Sequence, residues 1–186
     1  MFSFNRVAPR LKPGVRQIPV TIPDPLLQRH VRTTRRRLEV QGFLGMSDAD
    51  LLDVGPWMRF TPSCNLALTV AGTATGSVSL LIGLALIMAV GALAPAHPFD
   101  VLYNRVIRPA TGTKRLPRSG VRRKITFFVG ALWLGATAAF FASGHRRTAY
   151  VLGFLMAAFI LPLATVQLCV LSEAMAKIFG PPRATA

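Results

Sequence analysis

Residues 60–95 read FTPSCNLALTVAGTATGSVSLLIGLALIMAVGALAP, without one charged side chain. As a single helix rising about 1.5 Å per residue, this stretch would be about 54 Å long. A hydrocarbon core of about 30 Å cannot contain it, even with tilt. Its centre, Gly72-Thr73-Ala74-Thr75-Gly76-Ser77, is small, weakly helical and only mildly apolar. The stretch therefore predicts two short helices, 62–75 and 78–95, joined by a tight turn near Gly76.

Two further uncharged runs follow, from Ile125 to the Arg146 boundary and from Thr148 to Ser172. They predict spans at 125–143 and 149–171, with Gly144-His145-Arg146-Arg147 as the turn between them. The basic residues flank these runs. Counting Lys and Arg, residues 1–59 hold ten, 96–124 hold eight, the Gly144 turn two and the C-terminal end two. With four spans, the first, second and fourth of these groups share one side, as the positive-inside rule favours. One helix in 60–95 would put the two largest groups on opposite sides. The expected fold is thus all-α: a polytopic four-transmembrane-helix bundle over 60–180, a basic, partly extended N-terminal arm over 1–59, and a short tail over 181–186. A hydrophobic share of 52% and a charged share of 16% agree with this class. The net charge of +15 is distributed as in membrane proteins, so anionic lipids are expected partners and nucleic acid is not.

Within the arm, four prolines between Pro13 and Pro25 predict an extended strap. Asp24-Pro25 reads as a helix start. From Leu26 to Val40, Leu27, Val31 and Leu38 fall on one face, while Arg29, Arg32, Arg35, Arg36 and Arg37 crowd the rest. That is a basic amphipathic helix suited to a membrane surface or an acidic protein partner. Ser47 and Asp50 have the spacing of a capping box. Residues 1–59 contain no continuous apolar segment of the signal-peptide kind, so the N-terminus is expected in the cytosol.

Candidate chemistry is sparse. The spans carry no ionisable residue in their central portions, which disfavours pumps, proton-coupled carriers and voltage sensors. His30, His97 and His145 lie outside the spans, so no cofactor held by this chain alone is expected; lipid, quinone or pigment in crevices shared with partners stays open. In the central loop, His97-Pro98-Phe99-Asp100 opens an interfacial helix on which Phe99, Leu102 and Val106 share a face, with Tyr103, Asn104 and Arg105 elsewhere. Arg122 and Arg123 anchor the third span. His97, Asp100, Arg105, Arg122 and Arg123 join the arm arginines as candidate partner or lipid contacts. Gly72 and Gly76 have close-packing spacing. Cys64 and Cys169 are expected at similar depth near Asn65 and Gln167, either as a redox pair or as two buried small hydrophobes. Without a C-x-x-C motif or a nearby histidine, metal binding has little support.

The segments His97-Pro98-Phe99-Asp100-Val101-Leu102-Tyr103-Asn104, Arg122-Arg123-Lys124 and Gln167-Leu168-Cys169-Val170-Leu171-Ser172 resemble an uncharacterised bacterial membrane family, known as a domain of unknown function. The resemblance covers roughly 60–180. It implies four helices and a looser kinship with DoxX/MauE-like proteins, some tied to thiol or sulfur redox chemistry. With the charge distribution, the expected location is the bacterial inner (cytoplasmic) membrane with both termini cytosolic. Two functions are expected to compete: a non-catalytic accessory subunit of a larger membrane complex, respiratory or photosynthetic, and a thiol-redox component using Cys64 and Cys169.

Overall fold

The computed structural model describes residues 25–180, so all of the expected Pro13–Pro25 strap before Pro25, the Asp24 cap and the tail from 181 lie outside the described residues. Those described residues are helical and contain no strand. In chain order the helices are α1 (Pro25–Val40), α2 (Asp48–Val54), α3 (Phe60–Thr75), α4 (Val78–Leu93), α5 (Pro98–Leu102), α6 (Arg108–Thr111), α7 (Val121–Ala142), α8 (Arg146–Val166) and α9 (Val170–Phe179). A 3-10 turn, Pro56–Arg59, leads into α3, and a π-helical turn, Tyr103–Ile107, links α5 to α6.

The turn expected near Gly76 is present. Gly76 adopts a left-handed φ of 63°, which ends α3, and the Ser77 hydroxyl accepts from the Leu80 amide at 3.3 Å to start α4. Helices α7 and α8 are each long and apolar enough to cross a membrane. Helix α4 and the segment Pro98–Thr111 together are long and apolar enough for a third crossing, but bend by 81° between them. Helices α3 and α4, of 16 residues each, are about 24 Å long. The four long helices form a ring in which α3 adjoins α4, α4 packs on α7, α7 adjoins α8, and α8 packs on α3.

Leu81, Leu84 and Met88 of α4 meet Phe127, Leu134 and Phe141 of α7 in the main core. The buried side of α3 is different: Thr61, Asn65, Thr69 and Thr73 recur every fourth residue. Small residues let backbones approach here. A Cβ on Gly153 of α8 would lie 2.2 Å from Thr73 Oγ1, and one on Gly72 would lie 2.9 Å from Leu81 Cδ2. Gly72 thus serves the close packing its spacing suggested, whereas Gly76 serves the turn.

Residues 25–59 do not stand apart from the rest. Val31, Leu38, Phe43, Leu51 and Met58 share a second core with Tyr103 and Leu116, forming a cap over one end of the ring. The Ser47–Asp50 capping box forms as expected. The buried face of α1 is Val31, Thr34 and Leu38; Leu27 of the expected apolar face is exposed.

Two other expectations are corrected. The fourth helix does not run from 149 to 171: α8 stops at Val166, because Gln167 takes a left-handed φ of 59° and the Pro162 carbonyl accepts from the Leu168 amide. A separate helix, α9, starts at Val170. In the central loop, Asp100, expected to contact a partner or lipid, is buried together with Tyr103, while Leu102 and Val106 face outward as on an interfacial helix. An apolar stripe marks the core side of a helix only where the outside is water. Against a partly apolar exterior, polar groups that need partners turn inward.

Candidate functional site: a buried ion pair beside an apolar cavity

Beneath the cap, three elements converge on one carboxylate. Asp100 of α5 accepts from Thr61 Oγ1 of α3 at 2.6 Å and from both Arg123 amino nitrogens of α7 at 2.8 and 3.1 Å. Asp100 is 1% exposed, so this forked pair sits out of water, where charge-assisted hydrogen bonds are strong and an unpaired partner is costly. The Arg123 guanidinium also lies over the Phe43 and Phe127 rings, 5.2 and 5.1 Å from their centroids.

His97 locks the start of α5. Its Nδ1 accepts from the Phe99 amide at 3.2 Å, and its ring stacks at a tilt against Phe127, with centroids 4.3 Å apart. Helix α4 reaches the ring only because residue 91 is glycine: a Cβ there would lie 2.2 Å from His97 Cδ2. Burial pushes the imidazole pKa down to about 4; nearby Arg123 lowers it further and Asp100 partly opposes the shift. His97 is therefore neutral at pH 7. Its Nε2 is buried without a hydrogen-bond partner.

The sign of the pH effect follows. An unfolded histidine binds its proton near pH 6.5, whereas the folded one waits until about pH 4. Stability is thus full above about pH 6.5 and falls as the pH drops toward 4, by about 3 kcal/mol over that window. The unfolding midpoint in detergent should follow this curve. His97→Asn, which can still cap α5, should flatten it between pH 6.5 and 4 while lowering stability at pH 7.5.

Next to the ion pair lies a cavity of about 250 Å³, walled mainly by apolar side chains from α3, α7, α8 and α9 and roofed by Leu38, Gln41 and Phe43. Its polar edge includes Asn65, Arg123, Thr126, Gln167, Cys169 and Ser172. Asn65 Oδ1 and Ser172 Oγ are buried without partners. Gln167 anchors the roof: its side-chain amide donates to the Gly55 carbonyl, and its own carbonyl accepts from Gln41 Nε2 at 2.8 Å. Arg37 Nη1 donates to the Val166 carbonyl at 2.6 Å.

The candidate residues fall into groups. His97, Asp100 and Arg123 are brought together at the ion pair. Arg122 lies apart from them, donating to the Gly180 carbonyl. Arg35 is spent on Asp48 and on the Met46 carbonyl, Arg37 on α8, and Arg29, Arg32, Arg36 and Arg105 are exposed. Both cysteines are free thiols. Cys169 is buried on the cavity wall with its sulfur 3.9 Å from Thr126 Oγ1, while Cys64 is half-buried and is not on that wall. Among the described residues, no three His, Cys, Asp or Glu side chains gather to hold a metal. Thr61 and Ser172 were not among the sequence candidates; the four-residue polar period on α3 was the available signal for the first.

A family model described as Domain of unknown function (DUF4395) matches residues 55–174. The chain belongs to the DUF4395 family. The DUF4395 match contains the whole Thr61–Asp100–Arg123 cluster and ends at Ala174 on the cavity wall. The roof residues from α1 and the turn after it precede the DUF4395 region. No curated protein and no solved structure matches the chain.

Proposed function

We propose that this protein is a non-catalytic subunit of the bacterial inner membrane, with α3, α4, α7 and α8 all crossing the bilayer and both termini cytosolic, and that its cap docks a larger membrane complex. The observation that carries the docking is the outer face of α1. Arg29, Arg32 and Arg36 are exposed there and enter none of the ion pairs among the described residues. With three arginines against the single acid Glu39 of α1, this face is net cationic and complements an acidic surface. Support for four crossings comes from α3, whose buried side is small and polar and whose exposed side carries Val70 and Ala67, the polarity expected between lipid and a bundle interior. Four crossings also leave only Arg146 and Arg147 of the loop cations on the outer side.

Purification from native membranes in mild detergent should recover defined stoichiometric companions. Charge reversal by R29E, R32E and R36E should release them while the bundle stays folded. Retention of the same companions by that variant overturns the reading, and loss of anionic phospholipid alone would assign the face to the bilayer surface. Cysteines introduced at Ser77 and Ser143 should both label from the outer side; labelling of only one rules out four crossings.

A second reading, a thiol-redox component of DoxX/MauE-like type, is favoured by the placement of Cys169 on the cavity wall. It requires Cys64 to act with it. Companions and activity unchanged in Cys64→Ser and Cys169→Ser would remove this alternative.

A further inference from the structure

We infer that the cavity beside the ion pair binds the ring of a quinone or quinol whose apolar tail leaves toward the lipid. This goes beyond the docking reading and does not depend on it.

Size is the first consideration. An apolar cavity of about 150 Å³ holds benzene, so 250 Å³ accommodates a substituted six-membered ring. Shape and surface agree: Phe127, Trp133 and Phe159 with Met58, Met88 and Met156 present rings and thioethers, which suit a flat unsaturated guest. Val129, Phe159 and Val170 on the wall are 38–44% exposed, giving a tail a path out between α7, α8 and α9.

The polar edge then selects the head. Asn65 and Ser172 are 3% and 1% exposed, and each carries a side-chain oxygen without a partner in the chain. Such groups are rare unless something supplies the missing hydrogen bond. A quinol hydroxyl can donate to Asn65 Oδ1, and the Ser172 hydroxyl can donate to a quinone carbonyl or accept from a quinol. Charge excludes the commoner lipids. Arg123, the one cation on the wall, is already neutralised by Asp100 in a forked pair. A phosphate or carboxylate head would enter without a counter-ion, which burial penalises heavily.

The test uses the full chain purified in mild detergent with Trp57→Phe, leaving Trp133 on the cavity wall as the sole tryptophan. Titration with a decyl-tailed benzoquinone should quench Trp133 saturably. Asn65→Ala with Ser172→Ala should raise the half-quenching concentration about tenfold, the loss expected for two modest hydrogen bonds. Ala174→Phe, at an exposed wall position, should weaken binding without touching either polar group and guards against misfolding of the first variant. Decanoate should compete poorly. Linear quenching that is the same in all variants, or equal competition by decanoate, overturns the inference. Solvent extraction of the protein as isolated distinguishes the source: a co-purifying quinone supports it, and recovery of phospholipid alone at this site, displaced by Ala174→Phe, defeats it.

Discussion

Arg123→Met is expected to cost about 3–5 kcal/mol of stability, because it strands a carboxylate that water cannot reach. Asp100 is 1% exposed and takes two of its three hydrogen bonds from that arginine. Thr61 alone cannot compensate the charge. The same change also removes the cation lying over Phe43 and Phe127, so the cap loosens along with the α5–α7 contact. Unfolding in mixed micelles, followed by tryptophan fluorescence, measures the loss. The decisive comparison is the double variant Asp100→Asn with Arg123→Met. It should recover much of the stability lost by Arg123→Met alone, because Asn still accepts from Thr61 and leaves no buried charge. A double variant that is no better than the single one would show that packing, not charge, dominates.

Gly153→Ala should produce the next largest loss, about 3 kcal/mol, in the upper part of the range for overpacking. The new methyl carbon would lie 2.2 Å from Thr73 Oγ1, 2.5 Å from Cγ2 and 2.9 Å from Cβ. A rotamer change moves the first two atoms but not the third, so α3 and α8 must separate. Thr73→Ala in the Gly153→Ala background removes both mobile atoms and should restore part of the stability. In contrast, Gly135→Ala on α7, where nothing lies within 4 Å, should be close to neutral. The same unfolding assay compares all three.

The helices were largely legible because their causes are local. The Gly76 turn, the Ser47–Asp50 cap, and the C-terminal end of α7 followed from backbone preference, capping and the distribution of charge. What was not legible depended on direction. Phe99, Leu102 and Val106 share an apolar face in the sequence, yet only Leu102 and Val106 face outward, while Phe99 packs on the main core and Asp100, expected to contact a partner or lipid, is buried. Thr61 and Asn65 repeat at the correct period on α3, but a polar stripe inside an apolar run does not reveal what it faces. The break at Gln167 was hidden for another reason. Nothing around that residue demands a left-handed backbone; it is held by Gly55 and Gln41, over a hundred positions earlier in the chain. Asp100 and Arg123 were named as possible external contacts, and only the fold reveals that they contact each other.

That clasp between α1 and the end of α8 bears on how the molecule is made. Residues 37, 41 and 55 leave the ribosome long before 166 and 167, to which they bond. During synthesis the nascent cap has no carbonyls to close upon until the last long helix has been delivered. The roof of the cavity is therefore among the final parts to assemble, and a chain cut short after α7 would have its lid permanently unlatched.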